Sequence, residues 1–352
     1  MSICKQGGNM KRIGIIFGGR SGEHEVSLLS ATSVIEAFDR EKFQVVMLGI
    51  TRTGQWKLYD GPVEKIASGA WEETAQDIDI SQLGQLADFM FPVLHGPYGE
   101  DGTIQGLFEM LRLPYAGCGV LASALCMDKV SAKKIFEEAG LPTSRYQLVY
   151  AEDLETEMEA VLDRIEAELP YVMFVKPSNM GSSVGISKVR TREELRKALL
   201  LAAQYDRRII IEEGINCREV ETGVIGNRYA EVAEVGEIVA KLDFYDYTAK
   251  YTDDAGTEIS VPANLPKRTY EKIRALAKEA YLATDCSGFA RIDFFVEKNS
   301  GEVYINEINT IPGFTKYSMF PVMWNAAGVS FTELLERIVD FGYERYYAKN
   351  NR

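Results

Sequence analysis

The sequence predicts a mixed α/β chain that turns to α+β in its carboxy-terminal part. Strand-like apolar runs alternate with helical patterns through most of its length, the mark of layered helix-and-sheet architecture. After about residue 218 the strands become long and polar-edged, as in EVETGVIG (219–226) and RYAEVAEVGEIV (228–239), and this points to an antiparallel sheet rather than a continued parallel one. At 352 residues the chain exceeds one small core, so about two or three compact units are expected. No internal repeat or low-complexity linker marks their borders. Breaks are expected near 120–128 and near 214–218.

Taken in order, the first element is the strand RIGIIF (12–17), which runs through Gly18, Gly19 and Gly22 into a helix. The loop lacks the GxGxxG spacing of dinucleotide binders. Glu23 stands at the helix start, where an acid either caps the dipole or receives a cationic group of a substrate. The strands FQVVMLGI (43–50) and FMFPVL (89–94) follow, and the second ends at His95 in a glycine-rich loop that carries Glu100 and Asp101. His24 and His95 are the two histidines of the chain, so a three-histidine metal site is excluded.

In the middle section, YVMFVK (171–176) ends in Lys176 and leads into a loop with Gly181, Ser182, Ser183 and Gly185. Small residues let backbone N–H groups approach phosphate oxygens, although the spacing is not that of a Walker loop. TREELRKALLLAAQ (191–204) opens with a Thr-x-x-Glu capping box, as SFTELLERIVDF (330–341) opens with Ser330 and Glu333. RRIIIEE (207–213) ends in two acids, a place to hold an adenine edge and a ribose hydroxyl. The segment 243–262, rich in tyrosine, is expected to be a lid.

The last two strands, ARIDFFV (290–296) and EVYINEIN (302–309), form a hairpin in this reading, closed by the three-residue turn Asn299-Ser300-Gly301. Asp293 then opposes Glu307, and Arg291 opposes Asn309, all on one face. Like charges in direct opposition are unfavourable unless a cation joins them. Asp293, Glu307 and Asn309 are therefore candidate ligands of Mg²⁺, a hard ion that takes carboxylate oxygens, waters and phosphates. The plain alternative is a hydrated acidic face; Arg291 alongside and the Pro312-Gly313 turn after it favour a site.

Lys and Arg number 39 against 52 Asp and Glu, a net charge of −13, which disfavours a nucleic-acid partner. The five cysteines have neither CxxC spacing nor scaffold density and read as reduced, mostly core thiols of a cytoplasmic protein. No run reaches the length of a membrane span, and residues 1–9 read as a loose extension without the apolar stretch of a signal peptide.

Seven stretches in order, FGGRSGEHEVS, LHGPYGEDGTIQG, CMDKVSAK, VKPSNMGSSVGISKV, YDYTAKY, GFARIDFF and NEINTIPGFTKYSMFP, closely resemble the D-alanine–D-alanine ligases of the ATP-grasp superfamily. They run from residue 17 to 321. The resemblance implies a three-domain ATP-grasp fold: a Rossmann-like amino-terminal domain (10–125) that binds the first substrate, a central ATP-grasp subdomain (126–217), and a carboxy-terminal catalytic domain (218–349) with the lid at 243–262. It implies ATP gripped between two antiparallel sheets, two Mg²⁺ ions for which Mn²⁺ can substitute, and a homodimer.

Residue by residue, Lys129, Lys176 and Lys250 resemble the phosphate-contacting lysines, with Ser182 and Ser183 in the loop between. Glu212 and Glu219 match the adenine- and ribose-side acids. Glu213, Ile215, Phe295 and Asn306 complete the nucleotide pocket. Asp293, Glu307 and Asn309 match the metal ligands. Glu23 resembles the acid for the first ammonium, linked through Ser182 to Tyr251 of the lid, with His95 near the acyl carbon. Arg291 and the Gly313 N–H resemble oxyanion donors, and Ser318 with the Met319 N–H the site of the second carboxylate.

The implied reaction joins two D-alanines through D-alanyl phosphate, making the dipeptide of peptidoglycan precursors. In relatives that make D-alanyl-D-lactate the Tyr251 position is Phe or His, so Tyr251 favours an amine acceptor. D-Serine stays open because Met319-Phe320 departs from the commonest pattern. Another ATP-grasp carboxylate–amine ligase would lack GGRSGEHEVS and YSMFP. A non-catalytic nucleotide-binding regulator would have lost an acid or a lysine of the cradle. A dinucleotide oxidoreductase is disfavoured by the broken glycine spacing.

Overall fold

A computed structural model describes residues 10–181, 184–239 and 258–350. Ser182, Ser183, Lys250, Tyr251 and most of the expected lid lie outside the described residues.

Three sheets follow one another along the chain. The first has order β4-β3-β2-β1-β5, from β1 (Lys11–Gly18), β2 (Phe43–Ile50), β3 (Trp56–Tyr59), β4 (Gln76–Asp77) and β5 (Phe89–Pro92). Its centre is parallel, β1 running with both β2 and β5, and two antiparallel strands extend one edge. Helix α1 (His24–Ala37) returns from β1, so the loops after β1 and β5 meet where the winding reverses, the place such sheets bind ligands. Gly18 is required there: its φ is +86° and an added Cβ would lie 2.2 Å from the Ile50 carbonyl oxygen.

The second sheet is wholly antiparallel, order β6-β9-β7-β8, from β6 (Tyr146–Tyr150), β7 (Met173–Pro177), β8 (Ser187–Val189) and β9 (Arg208–Glu213). Two helices cover one face, α5 (Met158–Glu168) and α6 (Arg192–Ala202). Thr191 caps α6 as expected, accepting the Glu194 N–H. Upstream, α2 (Thr103–Met110), α3 (Val120–Met127) and α4 (Lys129–Glu138) connect the first sheet to the second.

The third sheet, order β12-β11-β10-β13-β14, is antiparallel as the polar-edged strands predicted. Its strands are β10 (Cys217–Gly226), β11 (Glu231–Val239), β12 (Glu258–Ser260), β13 (Gly288–Glu297) and β14 (Val303–Asn309). Helix α7 (Lys267–Ala283) packs beneath it, and α8 (Met319–Ala326) and α9 (Phe331–Asn350) complete the chain. Ser330 accepts the Glu333 N–H at the start of α9, but the helix runs on to Asn350, past the expected end at 341. Its last turns brace the first sheet: Tyr343 lies on Phe89 with ring centroids 4.9 Å apart, and Arg345 sits 4.1 Å over the Tyr115 ring.

One core joins the first and third sheets, with Phe17, Phe89 and Phe91 meeting Phe289, Phe314, Phe320 and Trp324, whereas the middle sheet has an apolar core of its own under α5 and α6. Cys118, Cys126 and Cys286 are buried and unbridged. No described helix is long and apolar enough to cross a membrane.

The β13–β14 hairpin corrects one expectation. Glu297, not Lys298, pairs with Glu302, so the turn has four residues, 298–301, rather than three. A bulge opposite the Asp293–Phe294 step then admits Asn306 as an extra residue, and Asp293 still meets Glu307 while Arg291 meets Asn309.

Candidate active site between the two antiparallel sheets

The strand alternation of β13 places Arg291, Asp293 and Phe295 on one half-buried face, beside Glu219, Glu221 and Gly223 of β10. The Arg291 guanidinium forks onto Asp293, Nε to Oδ1 and Nη2 to Oδ2, both at 2.7 Å. Its Nε also lies 3.2 Å from Glu221 Oε2. Asn309 donates from Nδ2 to Asp293 Oδ2 at 3.0 Å. Asp293, Glu307 and Asn309 thus converge as expected, and their hard oxygens fit a divalent cation. Among the described residues no three acids, histidines or cysteines gather closely enough to hold a metal ion by themselves, so a divalent cation here would need phosphate oxygens and waters to complete its shell. Glu221 was not singled out from sequence. Its signal was there: it sits two residues from Glu219, hence on the same strand face.

Facing this corner is a basic group built on α4 and the middle sheet. Asp128 caps α4, accepting the Ser131 N–H at 2.8 Å, and is anchored by Arg208 at 2.6 Å. Lys129 and Lys133, four residues apart, therefore share one face of the helix. Lys129 Nζ donates to the Met180 carbonyl at 2.8 Å and lies 3.4 Å from Glu307 Oε2, so it links the start of the Gly-Ser loop to the acidic corner. Lys133, only 1% exposed, was missed although it ends the CMDKVSAK stretch.

Glu212 lies between two lysines, Oε1 2.7 Å from Lys133 and Oε2 2.6 Å from Lys176. Burial pushes its carboxyl up, but the lysines outweigh burial and hold it far below the ordinary carboxylate range. Burial lowers Lys133. Lys176 is raised instead: burial opposes its charge, but Glu212, Glu307 and Glu219 together prevail. The expected adenine-side acid is therefore occupied by lysine in this state, and Lys176 reaches Glu212 rather than open solvent. Glu213 takes the Arg145 backbone N–H at 2.9 Å and its side chain at 2.8 Å. Glu219 is exposed, and Ile215, Phe295 and Asn306 are half-buried.

At the switch point of the first sheet, Glu23 stands at the start of α1 but makes no side-chain cap bond, so only the helix dipole is left to the capping alternative. Its carboxylate instead overlies two loops: a Cβ on Gly96 would lie 2.3 Å from Oε2, and one on Gly181 3.1 Å. His95 is buried. Its Nδ1 donates to the Ile311 carbonyl at 3.0 Å, which leaves Nε2 to accept from Ser30 at 3.1 Å. Burial, against the pull of Glu23, holds its pKa below the ordinary imidazole value. With both ring nitrogens engaged, His95 offers position rather than a free acid or base. Glu100 accepts the Gly96 N–H at 2.9 Å and the Ile311 N–H at 3.3 Å. Part of its surface is open, but the carboxyl is densely surrounded, and burial with Glu23 pushes it up to about 8.

After β14 the chain turns at Ile311-Pro312-Gly313 and reaches Ser318, the residue before α8. Ser318 Oγ accepts the Thr315 N–H at 3.1 Å and pairs with its hydroxyl at 2.8 Å. Gly313 abuts it, since a Cβ there would lie 2.9 Å from Ser318 Oγ. Met319 is buried, and its own N–H falls in the first turn of α8, where helix N–H groups lack intrahelical partners.

Comparison with known proteins assigns the family. Residues 12–118 match the family described as D-ala D-ala ligase N-terminus, and residues 135–340 match D-ala D-ala ligase C-terminus. The chain is 48% identical over 367 residues to a D-alanine–D-alanine ligase of Acetivibrio thermocellus, covering 96% of this chain and 97% of that one. It is 49% identical over 354 residues to that of Thermoanaerobacter sp. strain X514, covering 96% and 98%. Among solved structures, VanG D-Ala:D-Ser ligase from Enterococcus faecalis superposes with a TM-score of 0.87 at 40% identity, over 95% of this chain and 100% of that one. The D-alanine-D-alanine ligase from Coxiella burnetii gives 0.85 at 33% identity, over 98% and 97%. The chain belongs to the D-alanine–D-alanine ligase family.

Proposed function

We propose that the chain uses ATP to join two D-alanine molecules into D-alanyl-D-alanine. The observation that carries the reading is the meeting of Arg291 and Asn309 at Asp293, with Glu307 opposite and within reach of Lys129, directly before the Pro312-Gly313 turn in the chain. An acyl transfer driven by a nucleoside triphosphate needs those groups together: donors where oxyanion charge develops, and cations where phosphate charge develops.

Glu23 receives the ammonium of the first D-alanine. The carboxylate of that D-alanine attacks the γ-phosphorus of ATP to give D-alanyl phosphate and ADP. Asp293, Glu307 and Asn309 would hold Mg²⁺, which when bound would neutralise phosphate charge. Lys176 leaves Glu212 for phosphate oxygens, and Lys129 adds a second cation, with Ser182, Ser183 and Lys250 completing the cradle. Glu212, Glu213, Ile215, Glu219, Phe295 and Asn306 line the nucleotide pocket. The second D-alanine, its carboxylate on Ser318 and the Met319 N–H, attacks the acyl carbonyl as a free amine. Arg291 and the Gly313 N–H receive the oxyanion, and phosphate leaves as the amide forms.

In this reading the three sheets are the cores of three domains, the setting is cytoplasmic and the enzyme is a homodimer. D-Serine is the second reading for the acceptor, supported by the likeness to a D-Ala:D-Ser ligase. The test is phosphate release from ATP and Mg²⁺ with D-alanine, alone and with excess D-serine or D-lactate, products identified by mass. Dominant D-alanyl-D-alanine is expected, with Tyr251 the residue that disfavours D-lactate. Absence of D-alanine-dependent phosphate release overturns the reading.

A further inference from the structure

We propose that Glu100 is a positioning residue for the ligation step: by tying Gly96 to Ile311 it sets His95 on the Ile311 peptide and so aims the Gly313 N–H at the reacting carbonyl. The proposal rests on the reading of Gly313 as an oxyanion donor.

The geometry is a grip from the first sheet on the turn that follows the third. Glu100 lies in the loop after β5 and spends both carboxylate oxygens on backbone, Oε1 on the Gly96 N–H at 2.9 Å and Oε2 on the Ile311 N–H at 3.3 Å. His95, next to Gly96, takes the other side of Ile311, its Nδ1 donating to the carbonyl at 3.0 Å. Ser21 donates to the His95 carbonyl at 2.7 Å and fixes the loop from beneath. Beyond the turn, the Phe314 N–H reaches Ser30 Oγ at 3.4 Å, and the Ser30 hydroxyl donates to His95 Nε2 at 3.1 Å.

The peptide bearing the Gly313 N–H therefore lies between two held neighbours, one fixed by His95 and the other by Ser30. Pro312 locks its own φ, so little freedom is left in the direction of that N–H. Such a donor contributes to rate only if it already points where charge will develop. Glutamate suits the task because its two oxygens each accept an N–H, and these two bonds favour the ionised form against the burial and the Glu23 charge that push the carboxyl up. A glutamine presents one acceptor, and its NH₂ group confronts the other N–H.

The test is Glu100→Gln, which keeps the shape, alongside Glu100→Ala and Arg291→Ala. Steady-state kinetics, nucleotide affinity and affinity for a dipeptide phosphinate mimic of the tetrahedral intermediate are measured on each. For E100Q kcat should fall on the order of 10–100-fold, as misplaced catalytic groups do, with phosphinate affinity falling in parallel. The KM for D-alanine and the affinity for ATP should stay within about twofold, and E100A should lose more than E100Q. A merely structural role would move all four quantities together, and an electrostatic one through Glu23 would move the KM for D-alanine; either result overturns the proposal, as does an unchanged kcat. Full phosphinate affinity in R291A would instead overturn the oxyanion reading itself.

Discussion

The two charged clusters that face each other across the cleft are built on opposite principles. Along β10, β13 and β14, the described acids Glu221, Asp293 and Glu307 outnumber the cations beside them, Arg291 and the Lys129 that reaches in from α4; Asp293 and Glu307 stay half-open while Glu221 is buried. On α4, β7 and β9 the balance is reversed: Lys133 and Lys176 share the single carboxylate of Glu212, all deeply buried. The first cluster is short of positive charge and the second has a surplus. In the proposed function a metal ion bound to phosphates would answer both imbalances at once, the ion on the acids and the phosphates drawing Lys176 away from Glu212. Each cluster is incomplete by the charge that the other half of the ligand carries.

The comparison breaks most visibly at Lys133. Lys133→Met leaves Glu212 with one lysine, takes a donor from Thr143 and Ser144, and should cost about 3 kcal/mol, as the loss of one partner of a buried pair does. It also removes the surplus charge, so Lys176 should be held harder by Glu212 and ATP should bind more weakly. The pH dependence follows from Glu212. Its folded pKa is depressed, so its stabilisation is complete above the ordinary value of 4.5 and is lost as pH falls toward the folded value. Removing Lys133 makes that depression smaller. In denaturation between pH 7 and 3 the acid loss, which begins near the ordinary value of 4.5 in both proteins, should therefore be smaller and should end at higher pH in the variant. A stability unchanged by the substitution would mean that Lys133 does not balance Glu212.

On the acid side, Arg291→Ala should lower ligation by about 10²–10³-fold or more while nucleotide binding survives, because oxyanion donors act on the transition state. Equal losses of nucleotide affinity and rate would place Arg291 in the binding of ATP instead. A smaller and more selective effect belongs to Glu307→Gln. The corner loses one carboxylate, and the Mg²⁺ concentration at half-maximal rate should rise on the order of 10–100-fold, read from Mg²⁺ titration at fixed ATP. An unchanged titration would separate Glu307 from the metal.

How much of this was legible in the sequence differs between the clusters for a physical reason. The acid corner sits on adjacent strands of one hairpin, so alternation and local pairing suffice to bring its members together. The basic cluster joins a helix to two strands far apart in sequence. A capping Asp128 followed by lysines at spacing four was the available sign of a shared helix face, and nothing local tells which acid that face will meet. Glu100 shows the same limit. Its place in a glycine-rich loop was plain, but its contact with Ile311 spans 211 positions and depends on the shared core of the first and third sheets.

The smallest expected effect probes why the acid corner was readable at all, since the register was reached with a turn one residue too short. A real hairpin with a four-residue turn and no bulge would carry Glu307 and Asn309 to the other face, because a one-residue slip inverts every side chain. The bulge at Asn306 restores them. It is held from outside the hairpin: the Ile305 N–H donates to the Pro142 carbonyl at 2.8 Å, and Thr143 Oγ1 donates to the Ile305 carbonyl at 3.3 Å. The corner is thus indexed to the segment leading into the middle sheet rather than to the turn. Gly301, at φ +72° with open space where a Cβ would go, is the place to test this. Gly301→Ala should cost about 1 kcal/mol of backbone strain in chemical denaturation and leave kcat and the Mg²⁺ requirement unchanged. A fall in activity with that small loss of stability would mean that strain at the turn passes the bulge and reaches Glu307, and that the turn, not Ile305, sets the register of the site.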